Sequence, residues 1–340
     1  MDNKIKGKRD FYNSQDAGNA SIMGILAPIV MSFVVSILYI VIGAIVGQEP
    51  DVLLKTVPWV YFANFIVEFG FVLAFMLYNK HTGINGLNAS NLRGKTKTWV
   101  YVIAVVLGLI MPICCSSVIE LWSIGLESIG YQLNELSVPV SSIGDLVLAI
   151  IVVAMVPAIC EELLFRGIVL NGLRNKGKWV AVLISALMFA LMHNNLEQLP
   201  YTFMLGMVLG YVAYETGSII PSILLHISNN SIVLVTMYLQ QNAIMNLDLG
   251  ITNMVVVDAI IWLAIAVLLV VGVFVLISKF AKVQNNTEIA EYYSNKFIIQ
   301  GGQQVPMISN IDKQSKSKLR YAIIIGVCLL VLSIVTHLGN

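Results

Sequence analysis

Apolar residues in this chain fall in long unbroken runs, and the polar residues gather in the gaps between them. About 20 residues are needed to cross a hydrocarbon core as a helix. Nine runs reach or approach that length: Ile22–Val46, Val57–Tyr78, Trp99–Ile119, Leu146–Phe165, Val180–Met192, Tyr201–Tyr214, Ile219–Leu239, Met254–Ile277 and Tyr321–Thr336. The fifth and sixth are short for a full crossing, and are expected to lean on flanking polar residues or on a thinned, water-filled region. Lipid offers the backbone no hydrogen-bond partners, so such runs are helices. The pattern predicts an all-α, polytopic transmembrane helical bundle of about nine spans. Its expected divisions are a tail (1–21), N-terminal helices (22–144), a core carrying most of the intramembrane polar residues (145–240), an eighth span with its preceding external loop (241–278), a linker loop (279–320) and a last helix (321–340). The first run is too long for a signal-peptide core, and no small-residue cleavage site follows it. It reads as a retained anchor.

Composition agrees. Hydrophobic residues make up 58% and charged residues 11%, against about 25% charged in soluble domains, and the mean hydropathy is +0.83. The net charge of +1 says nothing about partners, but the placement of the cations does. With the N-terminus inside, the tail (Lys4, Lys6, Lys8, Arg9) and three further inside stretches hold 19 of the 20 Lys and Arg residues. Those stretches are Lys80–Lys97, Arg166–Lys178 and Lys279–Arg320, and only Lys55 is left outside. Positive charge marks the cytoplasmic side, so the N-terminus is expected in the cytoplasm. The stretch Gly301–Lys318 reads as a flexible linker, rich in Gly, Gln, Ser and Lys. No basic patch with interleaved aromatics supports nucleic-acid binding. Cys114, Cys115, Cys160 and Cys328 lie in or beside apolar runs with no CxxC pair, which points to free thiols.

Charged groups inside a membrane are costly and therefore usually functional. Glu161, Glu162 and Arg166 close the fourth run; Phe189 and His193 lie in or just beyond the fifth, and His226 and Asn230 in the seventh. On a helix Glu162 and Arg166 are i and i+4 with the acid first, the favourable order for an ion pair. Glu161 is turned about 100° away, which assigns Glu162–Arg166 to structure and leaves Glu161 free for chemistry. Phe189 and His193 share one helix face, as do His226 and Asn230. From the helical rise, Glu161 lies ~20 Å from Arg174, His193 ~20 Å from Val180 and His226 ~10 Å from Ile219, all from the cytoplasmic side. They can meet in a cavity open to the cytosol. Gly206-x-x-x-Gly210 fits a close helix–helix approach. Glu68, in the middle of the second run near Asn64, is an oddity that could line the same cavity or pair with a buried polar group. Two His and one Glu can activate water directly, or hold a catalytic zinc with an open position.

In order and spacing, Glu161-Glu162-x-x-x-Arg166, Phe189-x-x-x-His193 and His226-x-x-x-Asn230 resemble the CPBP family. These are the intramembrane CAAX-prenyl-endopeptidases and bacteriocin-processing proteases, also called Abi. The connecting segments agree: Leu164-Phe165-Arg166-Gly167, Ser185-Ala186-Leu187 and Gly217 through His226. The resemblance covers roughly Asp145–Val235 and implies an intramembrane peptidase in which Glu161, aided by His193, polarises a water. His226 and Asn230 would then stabilise the oxyanion. Glu162, Arg166 and Phe189 would support them. No cofactor is required on that reading; on the zinc reading, Glu161, His193 and His226 are the ligands, although HExxH is absent. The implied partners are a membrane-associated peptide or protein substrate and the lipid bilayer, with no nucleic acid. The expected location is a cell membrane, and the Asn/Ile/Lys-rich composition looks bacterial, where prenylated substrates are not expected. Two other classes fit less well: a transporter would show a second copy of the motifs, and a silent immunity or scaffold partner would lack some of these residues.

Overall fold

The computed structural model describes residues 11–47, 57–92, 96–133, 138–242, 255–280, 297–300 and 303–337. Each of the nine apolar runs lies on a helix. These are α1 (Ser14–Val46), α2 (Val57–Thr82), α4 (Thr98–Ser128), α5 (Ile143–Leu170), α6 (Lys178–Met192), α7 (Leu199–Thr216), α8 (Ile220–Gln241), α9 (Val255–Phe280) and α10 (Met307–His337), with a one-turn α3 (Gly86–Ala89) between α2 and α4. Six of them, α1, α2, α4, α5, α8 and the Ser317–His337 part of α10, are long and apolar enough to cross a membrane. Helix α6 has 15 residues, ~22 Å of rise, and falls short as its run predicts.

Local sequence sets the helix ends. Asn13 caps α1 by accepting from the Gln15 and Asp16 amides while Asp16 reaches back to the Asn13 amide (2.7 Å), a capping box. Ser142 and Asp145 repeat the device on α5. Helix α7 stops at Gly217, whose φ of +62° suits glycine, and α8 opens with Pro221 in its first turn.

Polar contacts between helix ends form two groups. In one, the Tyr12 hydroxyl donates to Asn79 (2.7 Å), Tyr78 to Asp16 (2.6 Å) and Lys318 to Asn19 (2.5 Å). Arg174 there donates to the Ala213 and Tyr214 carbonyls (3.0 and 3.1 Å) in the last turn of α7, and Lys178 pairs with Glu215 (2.8 Å). In the other, Tyr39 donates to the Trp59 carbonyl (2.6 Å), Tyr61 to Pro139 (2.8 Å), Trp122 to Leu196 (2.8 Å), and the Gln132 amide to His337 (2.7 Å). The chain therefore reverses direction from helix to helix, and α10 runs alongside α1. The cations Lys176, Lys178 and Lys318 belong to the first end, as the charge count expects; Lys4, Lys6, Lys8, Arg9, Lys55, Arg93, Lys95, Lys282 and Lys296 lie outside the described residues.

The core surrounds the second half of α5, where every residue from Cys160 to Leu173 is buried. Helices α1, α2, α6, α7 and α8 pack around it. The perimeter is apolar and exposed, with Ile37, Ile40 and Ile45 on α1 and Leu268 on α9. Such a surface suits lipid rather than water. Gly206 lets α7 close on α6: a Cβ there would lie 3.0–3.1 Å from the Ala186 Cα and Cβ.

The linker expected over Gly301–Lys318 is corrected. Phe297–Gln300 (β1) and Gln303–Pro306 (β2) pair antiparallel, and Met307 onward is helix, continuous with the last apolar run. The Phe, Ile and Val residues of 297–305 have strand preference. The Lys/Gln/Ser stretch after Met307 is a tolerable helix sequence once an apolar helix extends it. Gly301 and Gly302 lie outside the described residues.

Candidate active site

Helix α5 carries π-helical segments on both sides of its acidic pair: Ile150–Met155 before it and Phe165–Leu170 after it. Pro157 has no N–H to return to the preceding turn, which favours the first widening; such bulges recur at functional sites. The stretch between them, Val156–Leu164, is regular helix and presents Glu161 and Glu162 to different neighbours.

Glu162 and Arg166 are fully buried, and the guanidinium Nη1 donates to Glu162 Oε1 at 2.5 Å. Nη2 donates to the Gly206 carbonyl (3.0 Å), so the glycine that admits α6 also orients the arginine. The Arg166 Cζ lies 4.4 Å from the centre of the Phe189 ring, within cation–π range. The second oxygen of Glu162 accepts from the Ser222 hydroxyl. His226 Nδ1 lies 3.2 Å from Glu162 Oε1. Glu162 is thus the hub of four helices: α5 through Arg166, α7 through Gly206, and α8 through Ser222 and His226, with α6 reached by the Phe189 ring.

Glu161 is different. It is 5% exposed and its Oε2 has no hydrogen-bond partner. The His226 Nε2 faces that oxygen at 3.8 Å, too far for a hydrogen bond. Beside it, α2 runs parallel to α5 with the Phe71 and Phe165 rings 6.4 Å apart. One turn earlier on each helix lie Glu68 and Glu161. Glu68 Oε2 is likewise buried without a partner. The unexplained glutamate of the second run therefore belongs to this neighbourhood.

His193 closes α6, and its Nδ1 lies 2.8 Å from the Phe189 carbonyl. A carbonyl only accepts, so Nδ1 carries the proton there and Nε2 of the neutral ring is a bare acceptor. Phe189 stands between the histidines, 5.0 Å from the His193 ring and 5.6 Å from that of His226. The Asn230 Oδ1 accepts from Asn229 Nδ2 (3.2 Å), and the Asn229 Oδ1 accepts from the Tyr201 hydroxyl (2.5 Å). A cavity of about 370 Å³, lined by Pro28, Ser32 and Ser36 of α1 with Met192, His193 and Asn194, reaches the His193 side.

The structure thus gathers Glu161, Glu162, Arg166, Phe189, His193 and His226, with Asn230 one turn beyond His226. It adds three residues for which sequence reasoning assigned no role. Ser222 was findable, one helical turn before His226 on the same face. Tyr201 and Asn229 were not, because their meeting depends on the packing of α7 against α8. A zinc ion would need Glu161 and both His Nε2 atoms on one point. The acceptor-bound Nδ1 atoms suit metal-binding histidines, but no group of three or more His, Cys, Asp or Glu among the described residues is arranged to hold a metal.

Residues 143–232 match the sequence model of the Type II CAAX prenyl endopeptidase Rce1-like family. The chain is also 32% identical over 91 residues to an uncharacterized 24.3 kDa protein of Escherichia coli; the alignment takes in 25% of this chain and 42% of that relative. No solved structure matches. The matched segment is α5 through the first half of α8, the same stretch that carries the buried acid pair, both histidines and Asn230, and over it the chain is similar to that prenyl-endopeptidase family.

Proposed function

We propose that this chain is an intramembrane endopeptidase that hydrolyses a peptide bond of a membrane-associated peptide or protein, using a water activated by Glu161 and His193. One observation carries the reading: of two adjacent buried carboxylates, Glu162 is saturated by Arg166, Ser222 and His226, while Glu161 keeps a free oxygen. A general base must have a lone pair within reach of its proton. Glu161 Oε2 has one, and so does the Nε2 of neutral His193. The water oxygen attacks the scissile carbonyl carbon as its proton passes to Glu161. The carbonyl π pair moves onto oxygen, and Asn230 Nδ2–H faces that developing charge. His226 joins as a second donor when its ring is doubly protonated, with Nδ1–H on Glu162 and Nε2–H toward the oxyanion. Each such donor contributes about 3 kcal/mol to lowering the barrier. Collapse of the intermediate returns the oxygen pair, breaks the C–N bond, and delivers the proton from Glu161 to the leaving amine.

The end carrying Lys176, Lys178 and Lys318 faces the cytoplasm of a bacterial cell in this reading, and the bond cleaved lies in that half of the bilayer. Precursor peptides, signal-peptide remnants and membrane-anchored regulators are the substrates that fit. The test uses purified protein in micelles with two probes: a quenched peptide ending in a farnesylated CAAX sequence, and a library of unprenylated membrane-anchored peptides. Wild-type protein is expected to cleave a member of one set after metal is stripped, and Glu161→Gln to cleave none. Cleavage of neither set would contradict the peptidase reading. One zinc per chain, with activity lost to a chelator and restored by zinc, would replace the Glu161–His193 water by a metal-held one.

A further inference from the structure

The oxyanion role of Asn230 depends on which way its amide faces. An asparagine side chain has nearly the same shape with oxygen and nitrogen exchanged. In one orientation two N–H donors face the developing negative charge; in the other a carbonyl oxygen faces it and opposes it. The groups around Asn230 must therefore choose.

They form a chain with a direction. Tyr201 stands in the first turn of α7, two residues after the helix begins at Leu199, and its hydroxyl donates to Asn229 Oδ1 at 2.5 Å. The Tyr201 hydroxyl fixes the Asn229 oxygen toward itself and so turns the Asn229 Nδ2 the other way, where it donates to Asn230 Oδ1 at 3.2 Å. That occupies the oxygen of Asn230 and leaves its Nδ2 as the free end. Asn229 is 2% exposed and cannot turn to solvent. Its backbone is held as well, because Gly108 of α4 brings its own Cα against this turn; a Cβ there would lie 3.1 Å from the Asn229 nitrogen. The reverse polarity would need Tyr201 to accept from Asn229, leaving a phenolic hydrogen to be satisfied elsewhere.

Resting on the proposed function, we infer that Tyr201 and Asn229 are positioning residues that fix the polarity of the Asn230 amide, so that its N–H group and not its oxygen meets the oxyanion. The phenol acts from two residues away and touches no reacting atom. Its removal is expected to leave substrate binding unchanged and to slow only the chemical step.

The experiment is a double-mutant cycle on the full-length protein in micelles, with the probe peptide that the wild type cleaves. Tyr201→Phe keeps the ring and removes the hydroxyl. It is expected to lower kcat about tenfold, the effect of one hydrogen bond's orientation, with KM unchanged and Tm lowered by only about 2–4 °C, the cost of the lost hydrogen bond. Asn230→Ala is expected to lower kcat by about 10²–10³. In the Asn230→Ala background, Tyr201→Phe should have no further effect, because the group it orients is gone. Asn229→Asp, which still accepts from Tyr201 but has no N–H for Asn230, should lose at least as much kcat as Tyr201→Phe. A wild-type kcat for Tyr201→Phe, or a tenfold loss repeated in the Asn230→Ala background, would overturn the relay while leaving the oxyanion role of Asn230 standing. A wild-type kcat for Asn230→Ala would remove that role itself, and the relay with it.

Discussion

Replacing Arg166 by methionine should be among the most destabilising single changes in the chain. Methionine fills similar volume but leaves Glu162, fully buried, with only Ser222 and His226 to offset its charge. Removing one partner of a buried pair costs about 3–5 kcal/mol, and the Gly206 carbonyl also loses its donor, adding about 1 kcal/mol. At roughly 2–4 °C per kcal/mol, Arg166→Met should lower the unfolding midpoint by about 8–24 °C. The companion change decides the cause. Glu162→Gln removes the charge, keeps its one oxygen for His226 and turns its amide N–H to the Ser222 hydroxyl, which can accept, so the double variant Glu162→Gln/Arg166→Met should be more stable than Arg166→Met alone by about 2 kcal/mol or more. The assay is thermal unfolding in detergent, followed by tryptophan fluorescence and by survival of the monodisperse peak. If Arg166→Met melts with the wild type, or the double variant melts below the single one, the ion pair is not what holds these helices together.

Reporter fusions after Gln48, Arg93, Asn134 and Gln303 should read outside, inside, outside and inside; an inside reading at Asn134 would break the alternation of helices from which the orientation follows. Gly206→Val should weaken the α6–α7 contact by about 1–3 kcal/mol, as overpacking does, because its side chain would start 3.0–3.1 Å from Ala186. Thermal unfolding checks this, and unchanged stability would show that α7 can shift away freely.

The apolar runs made every long helix legible, because in lipid hydrophobicity and helix formation are tied by the same absence of water. Their ends were less so. Helix α10 begins at Met307, well before the apolar run at Tyr321, since a polar stretch beside a membrane helix can extend it with no hydrophobic signal. The motif residues were legible too, because buried charge is rare enough in such a chain to stand out. The sequence also assigned Arg166 to Glu162 correctly through their helical spacing. It understated Glu162 itself. Spacing along one helix could not show that Ser222 and His226 of α8 end on the same carboxylate, nor that Phe189 would lie against the Arg166 guanidinium. The hydrogen bond from Tyr201 to Asn229 spans 28 residues and leaves no periodic trace. Glu68 was visible as an oddity, but only the parallel packing of α2 on α5 gives it a neighbour.

If Glu161 activates water to cut a peptide bond within the membrane, as proposed, the products must appear as new peptide termini that depend on its carboxylate. Mass spectrometry of new peptide termini in membranes of cells making wild-type protein or Glu161→Gln, at equal abundance, tests it most directly. The expected result is a set of termini present with the wild type and absent with Glu161→Gln, mapping to the cytoplasmic half of membrane-anchored sequences. Identical termini in the two membranes would contradict it.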